Sequence, residues 1–242
     1  MTHPWTNRIS SAALWLAIIG VAVVVIGLTL GRYEVVEKLT GFYSIPLAAL
    51  LLALALIVAI VALIMNWRHR SNRRGRAWIA LILPIVFFAV IGSIIAGAGD
   101  APPLHDVTTD LADPPAFQTL TLRGDNLVGV GTIENWRDMH AKAYPDIQPV
   151  IIDAAPAQVI ERAVAVADEM GWDVADADPS EGRMEATAYA SYIRFKDDVV
   201  VRATPVDGGT RVDVRSVSRV GVGDLGYNAA RVREFLERLQ AA

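Results

Sequence analysis

Residues 181–219 read EGRMEATAYASYIRFKDDVVVRATPVDGGTRVDVRSVSR and decide the fold of the C-terminal part of the chain. They contain three segments in which apolar and polar side chains alternate, which is the period of a strand with one buried face. Between the second and third segments, Asp207-Gly208-Gly209 supplies residues that tolerate a positive φ and permit a tight reversal. The pattern predicts a three-stranded antiparallel meander.

Shorter elements flank the meander. Val150–Ile152 predicts a short strand, and a helix follows it, with Pro156 in its first turn and Gly171 at its end. A second strand leads into the meander, and a final helix starts at about Leu225 with Asp224 as its N-cap. Residues 150–242 are therefore predicted to form an α+β domain of order β-α-β-β-β-β-α, with an antiparallel sheet packed on helices.

Three apolar stretches precede this domain. Ser11–Leu30, Ile45–Met65 and Ala77–Ala98 are each about twenty residues long and carry no charged side chain. This length is what a helix needs to cross a hydrocarbon core of about 30 Å. The first stretch exceeds the apolar core of a signal peptide, and two more follow it, so we interpret it as a retained helix. The chain is predicted to be membrane-anchored, with a three-helix transmembrane anchor over residues 1–98.

The loop between the second and third apolar stretches is strongly basic. It reads NWRHRSNRRGR and contains Arg68, Arg70, Arg73, Arg74 and Arg76 but no acid. Short loops of this kind stay in the cytoplasm, so the N-terminus is predicted to be cytoplasmic and the C-terminal domain periplasmic, in a bacterial inner membrane. A headgroup or nucleic-acid site is the alternative for these arginines, but topology alone explains them.

Charge and composition exclude several classes of function. Residues 98–242 hold fourteen Lys or Arg and twenty-four Asp or Glu, a net charge of −10, which disfavours nucleic acid as a partner. The absence of cysteine excludes thiolate catalysis and cysteine-based metal sites. The apolar stretches contain no ionisable residue, which disfavours transport by this chain alone. No cofactor is predicted.

The segment 99–149 joins the anchor to the domain and is rich in proline. We predict an extended tether that packs on the domain. It contains residues of the types that bind metals, but their spacing matches no ligand pattern, and Asp, Thr and Pro are common turn residues. No metal site is therefore predicted for this set: His105, Asp106, Asp110, Asp113 and His140.

Two motifs of enzymes and nucleotide-binding proteins fail in their context. Residues 221–226 read GVGDLG and match G-x-G-x-x-G, but the chain has no second parallel strand after them, and Asp224 would repel a pyrophosphate at the helix N-terminus. Asp197 and Asp198 are neighbours in a strand and should point to opposite faces, so they cannot act as an acid/base pair. No catalytic residue is predicted.

The polar face of the meander is the strongest candidate for a site. One interpretation is a solvated face whose opposite charges pair across strands. The other is a groove beneath the tether, where arginines bind an anionic ligand or a partner. The candidate residues for ligand or partner binding are Arg183, Glu185, Thr187, Arg202, Asp213, Arg215, Arg219 and, beside the final helix, Asp224.

Three ordered motifs carry a resemblance to a known family. They are PPLHDVTTDLADPPAF (residues 102–117), GRMEATAYASYIRFKDDVVVRATP (182–205) and VDVRSVSRVGVGDLGYNAARVREF (212–235). They closely resemble the bacterial family called domain of unknown function 1499, over most of residues 100–240. The family has no established activity, so the resemblance implies a domain boundary and no reaction. The family's motif residues match here at Glu185, Thr187, Asp197, Asp198, Arg202, Asp213, Arg215, Ser216, Ser218, Arg219, Asp224 and Asn228, whereas Tyr189–Ile193 departs from its pattern.

These features together predict a non-enzymatic membrane protein whose soluble domain binds a partner protein or a lipid, as an accessory subunit of an envelope or membrane complex. The alternative is an envelope hydrolase or transferase that acts on a lipid or glycan, with Asp106 or Glu185 as the acid. A carboxylate of strongly raised pKa in a cleft would favour the enzyme, and paired charges would favour the binding protein.

Overall fold

The computed structural model describes residues 4–69 and 74–242, and the chain divides after Gly99 into two compact units. Arg70 and Arg73 of the basic loop lie outside the described residues. Arg68 closes the second apolar helical stretch, and Arg74 and Arg76 lie in the first turn of the next helix.

In its described part, the first unit consists of helices joined by short turns. Its helices are α1 (Pro4–Arg32), α2 (Lys38–Phe42), α3 (Ser44–His69) and α4 (Arg74–Ala98). Three stretches, Pro4–Arg32, Lys38–Arg68 and Arg74–Ala98, are long and apolar enough to cross a membrane. The prediction of three apolar helices is confirmed, and they indicate that the protein associates with a membrane.

Small residues line the contacts between the long helices. Ala13 and Ala17 of α1 are fully buried, and Gly20 lies directly against Leu52 of α3. Near the other end of α3, Asn66 donates a hydrogen bond of 2.8 Å to the Ser10 hydroxyl on α1. Small side chains let helix backbones approach closely, and an interhelical hydrogen bond fixes their register. The three long helices therefore pack on one another.

The second unit contains a six-stranded antiparallel sheet and three helices. The elements are β1 (Asp106–Thr108), α5 (Ile133–Ala143), β2 (Val150–Ile152), α6 (Pro156–Glu169), β3 (Asp173–Asp178), β4 (Arg183–Ala190), β5 (Phe195–Val206), β6 (Gly209–Ser218) and α7 (Tyr227–Ala241). The strand order is β1-β6-β5-β4-β3, and β2 pairs with β6 beyond the end of β1. The predicted α+β class, the meander and its order are confirmed.

Two elements differ from the sequence prediction in the segment before β2. The segment predicted as an extended tether contains the strand β1 and the helix α5. Thr132 caps α5 by accepting the N–H of Asn135, and Trp136 and His140 bury one face of the helix. These residues belong to the same compact unit as the sheet.

The start of the last helix also differs. It begins at Tyr227 rather than at about Leu225, because Gly226 takes a left-handed conformation with φ of 83° that interrupts the helix. Asp224 is therefore not the N-cap residue itself, although its side chain still binds main-chain N–H groups of the first turn.

One face of the sheet, here called the helix face, packs against α6 and α7. Alternate residues of β4, β5 and β6 point into this core, among them Met184, Val201 and Val214, all fully buried. Phe235 of α7 is also fully buried, and its ring stacks on Trp172 with centroids 5.1 Å apart. Burying one such side chain contributes roughly 1.5–3 kcal/mol, so this face supplies most of the apolar stabilisation.

Candidate functional site

The opposite face of the sheet, here called the polar face, carries charged residues of β4, β5 and β6. Its members are Arg183, Glu185, Thr187, Asp198, Arg202, Arg211, Asp213, Arg215 and Arg219. Residues 109–123, here called the covering segment, lie across it without regular secondary structure. Glu185, Thr187, Asp198 and Asp213 are buried beneath this cover. The centre of the face is therefore covered, while Arg202, Arg211 and Arg219 remain 31–41% exposed.

Glu185 is the deepest attachment point of the covering segment. Its fully buried carboxylate accepts hydrogen bonds from the main-chain N–H groups of Gln118 at 2.7 Å, Thr119 at 3.1 Å and Leu120 at 2.6 Å. Arg183 donates to the same carboxylate at 2.6 Å. Hydrogen bonds to an ionised group are shorter and stronger than neutral ones, and three successive N–H groups form an anion-binding concavity. Glu185 thereby holds the segment on the sheet.

Arg215 binds both Asp106 of β1 and the covering segment at Pro115. The guanidinium binds the carboxylate with two parallel hydrogen bonds, Nε to Oδ1 at 2.9 Å and Nη2 to Oδ2 at 2.6 Å. A third donor, Nη1, lies 3.3 Å from the carbonyl oxygen of Pro115. Asn126 donates to Asp106 from the other side at 2.5 Å. The carboxylate once considered for catalysis is thus fully occupied by this pairing.

A third group of charges lies where the covering segment begins. Arg202 donates to Asp113 at 2.8 Å and to Asp213 at 3.3 Å, and Arg211 bridges Asp213 at 3.0 Å and Asp110 at 2.7 Å. Burial acts to raise the pKa of Asp110, but main-chain N–H groups and the Arg211 charge outweigh it and hold the pKa below the ordinary value. Acids of the covering segment therefore occupy Arg202, one of the candidate arginines, and its neighbour Arg211.

Arg219 completes the polar face at the end of β6. It binds Asp198 with Nε at 2.9 Å and Nη2 at 2.8 Å, and it also donates to the Thr187 hydroxyl at 3.0 Å. Beside it lies a small cleft that combines polar and apolar walls. The lining residues are Phe117, Thr121, Leu122, Arg123, Asp198, Val217, Ser218 and Arg219.

Arg123 forms the second cationic wall of this cleft. Its Nη1 donates to the carbonyl oxygens of Gly221 at 2.7 Å and Ser218 at 3.3 Å, so it also fixes the chain after β6. Its Nε and Nη2 pair with Asp125, and this hydrogen bonding lowers the pKa of Asp125 to about 2. Nothing in the sequence around Arg123 indicates this role, because it depends on a contact with Gly221 far along the chain.

Asp197 and Asp198 point to opposite faces, as predicted. Asp198 binds Arg219 on the polar face, whereas Asp197 is buried on the helix face and pairs with Arg231 of α7 at 2.6 Å. Arg231 also binds Asn228, which in turn bonds to Ser216. This second network joins the sheet to α7, and the family motif residues therefore divide between the two faces.

Asp224 does not join the polar face. It lies between β6 and α7, where its two carboxylate oxygens accept the N–H groups of Gly226 at 2.8 Å and Asn228 at 2.6 Å. Burial raises the pKa of this carboxyl. The carboxylate occupies the helix N-terminus, which is where the glycine-rich motif would have to bind a phosphate.

The residues weighed as metal ligands make other contacts. His105 shares a hydrogen bond of 3.1 Å between its Nδ1 and the carbonyl oxygen of Val222, and His140 Nε2 accepts the N–H of Thr108 at 3.1 Å. Burial lowers the pKa of His140, which keeps the ring neutral. Over residues 4–69 and 74–242, no three His, Cys, Asp or Glu side chains are grouped to hold a metal ion.

Fold and site define an α+β domain whose sheet is closed on one face by helices and on the other by acid–arginine contacts, preceded in the chain by three helices apolar enough to span a membrane. The model of a family described as a protein of unknown function (DUF1499) matches residues 106–239, more than half of the chain. The chain belongs to this family, which confirms the resemblance. No curated protein matches it.

Proposed function

We propose that the chain is a non-enzymatic, membrane-anchored protein whose second unit binds the anionic headgroup of a lipid at the Arg219–Arg123 cleft. The observation that carries the proposal is the composition of this cleft. Arg219, Arg123 and Thr121 line the cleft together with the apolar residues Phe117 and Leu122. A phospholipid presents the same combination, a charged phosphate next to hydrocarbon.

The state of the buried carboxylates supports binding rather than hydrolysis. Glu185 accepts three main-chain N–H groups, and both oxygens of Asp106 are engaged by Arg215. A general acid or base must exchange protons with a substrate, and these two groups are committed to fixed donors. The alternative of an envelope hydrolase or transferase has no comparable support.

We also propose the orientation that the basic loop predicts, with the N-terminus in the cytoplasm, the second unit in the periplasm and the protein in a bacterial inner membrane. The support is the run of five arginines without an acid, since short basic loops remain cytoplasmic. A phosphatase fused after Ala98 should be active and a galactosidase fused there inactive. The reverse pattern would overturn this orientation.

The lipid proposal is tested on the full chain in nanodiscs that contain phosphatidylcholine and phosphatidylglycerol. Native mass spectrometry should find phosphatidylglycerol retained by the wild type and lost from Arg219→Gln. Arg238→Gln is the matched control, because Arg238 is 45% exposed against 41% for Arg219 and also pairs with an acid, Glu234. Equal retention in both variants would contradict the proposal. Retention of an envelope protein instead of lipid, lost only from Arg219→Gln, would assign the cleft to a protein partner.

A further inference from the structure

The loop between β6 and α7, residues 219–226, exposes apolar side chains at one end of the sheet. Val220, Val222 and Leu225, with Tyr227 just after them, are between 37% and 52% exposed. They lie within eight consecutive residues that read VGVGDLGY. Single exposed apolar residues are ordinary, whereas several on one loop are a reason to look for a surface that covers them.

Leu225 also has a strained backbone. Its φ is 56°, in the left-handed region that suits glycine and disfavours residues with a Cβ. Its side chain is 52% exposed, so packing inside the unit offsets little of that cost. Strain of this sort persists where the surrounding structure fixes it, and it is concentrated at functional sites.

Main-chain contacts fix this loop to the first residues of the second unit. Asp224 N–H donates to the carbonyl oxygen of Leu104 at 3.1 Å, and a Cβ on Gly223 would lie 3.0 Å from the Cα of Pro103. Gly226 lies against Ala101. Only two residues separate Ala101 from Ala98, the last residue of an apolar helix long enough to span a membrane. Three peptide links extend at most about 11 Å, so a helix ending at the membrane surface keeps Ala101 close to that surface.

We propose that this loop inserts into the membrane surface, with Val220, Val222, Leu225 and Tyr227 at the boundary between headgroups and acyl chains. Transfer of aliphatic side chains from water to this boundary is favourable in free energy. Tyrosine also favours the boundary, because its ring is apolar and its hydroxyl is polar. The occupant is the lipid surface itself. The inference rests on the membrane association of the apolar helices and not on the anion site at Arg219.

The chain contains no cysteine, so single labels can be placed without background. We would attach an environment-sensitive fluorophore to Val220→Cys and to Leu225→Cys in the full chain. The protein is reconstituted in phosphatidylcholine vesicles with nitroxides at defined acyl depths. Asp207→Cys is the control, because Asp207 lies in the exposed turn at the other end of β6, about 30 Å away.

The fluorescence of both loop labels should be quenched most by nitroxides that lie about 5–10 Å deep at the boundary of headgroups and acyl chains. The fluorescence of the control label should not be quenched. Quenching at Val220 and Leu225 no greater than at Asp207 would overturn the proposal. Because these vesicles carry no anionic lipid, loss of headgroup binding at Arg219 would leave the quenching unchanged. The two proposals can therefore fail separately.

A second variant distinguishes membrane insertion of the loop from an effect of misfolding in the labelled proteins. Leu225→Gly relieves the left-handed strain, so it should raise the Tm of the second unit in detergent while it reduces quenching of the label at Val220. If Leu225 instead packs within the unit, the same change lowers the Tm and leaves the quenching as it was. That result would overturn membrane insertion of the loop.

Discussion

The two faces of the sheet are closed in different ways. The helix face is covered by α6 and α7 through apolar side chains such as Phe235, which is fully buried. The polar face is covered by residues 109–123, which have no regular secondary structure and attach through charges, above all at Glu185 and Arg202. Apolar burial is non-directional and tolerates small shifts, whereas each charged contact needs its own partner at hydrogen-bond distance.

Because of this difference, the stability of the polar face depends on single residues more than that of the helix face does. Removing the donors of a buried carboxylate lowers the free energy of unfolding by more than the intact pair raises it. The reason is that the remaining charge is left without water or a partner. The polar face therefore depends most on its buried pairs, whereas its exposed pairs contribute less. Acids of the covering segment occupy Arg202 and Arg211, Asp106 of β1 occupies Arg215, and Asp198 of β5 occupies Arg219. Arg219 lies at the edge of the face, is 41% exposed and lines the cleft, so it is the residue we expect to meet a ligand.

The largest effect is expected on the helix face. Phe235→Ala should lower the free energy of unfolding by about 4 kcal/mol, since it removes a fully buried ring and leaves a cavity against Trp172. Urea unfolding followed by tryptophan fluorescence measures the loss. Ile133→Ala is the control, because Ile133 is exposed and should change stability by less than about 0.5 kcal/mol. Similar losses in the two variants would contradict the assignment of the core to this face.

Two arginines of the polar face differ in the burial of their acidic partners, so their variants should differ in stability. Arg215→Gln strands the buried Asp106 and should cost about 3 kcal/mol. Arg202→Gln should cost at most about 1 kcal/mol, because Arg202 and its nearest partner Asp113 are more exposed. The same urea unfolding experiment measures both. Equal losses would mean that the buried pair of Arg215 with Asp106 stabilises the polar face no more than the exposed pair does.

A smaller effect is expected from pH at the contact between α5 and β1. Burial lowers the pKa of His140 in the folded protein, and Thr108 donates its N–H to the neutral ring. As pH falls below about 6.5, His140 takes up a proton in the unfolded chain before it does so in the folded protein. The free energy of unfolding is therefore unaffected above about pH 6.5 and decreases as pH falls from there to the pKa of His140 in the folded protein. The loss is at most about 1.4 kcal/mol per pH unit.

His140→Gln keeps an acceptor for the Thr108 N–H and removes the titration. Thermal unfolding at about pH 7 and about pH 5 should show a smaller drop in Tm for the variant than for the wild type. A drop of the same size in both proteins would show that other groups carry the acid sensitivity.

Much of the architecture could be predicted from periodicity. The three apolar helices, the meander and the turn at Asp207-Gly208-Gly209 all follow from patterns within a few residues of each other. The opposite orientation of Asp197 and Asp198 follows from the two-residue period of a strand. These features are local, and local patterns are what a single sequence displays.

The missed features depend on distant contacts. Strand β1 has three residues, too few to show alternation, and it exists because it pairs with β6. Helix α5 has a cap at Thr132 and buried residues at Trp136 and His140, but flanking prolines obscured this short pattern. The pairing of Asp106 with Arg215 joins residues far apart in the chain, and nothing in either neighbourhood specifies the partner.

The most direct test of the charge-held cover is hydrogen exchange at the three N–H groups that Glu185 accepts. In the full wild-type chain, the amides of Gln118, Thr119 and Leu120 should be protected, although they lie in a segment without regular secondary structure. In Glu185→Gln they should exchange on the order of 10–100-fold faster, with a smaller change in the centre of β5. Exchange at residues 118–120 as fast in the wild type as in the exposed turn at Asp207 would contradict the account.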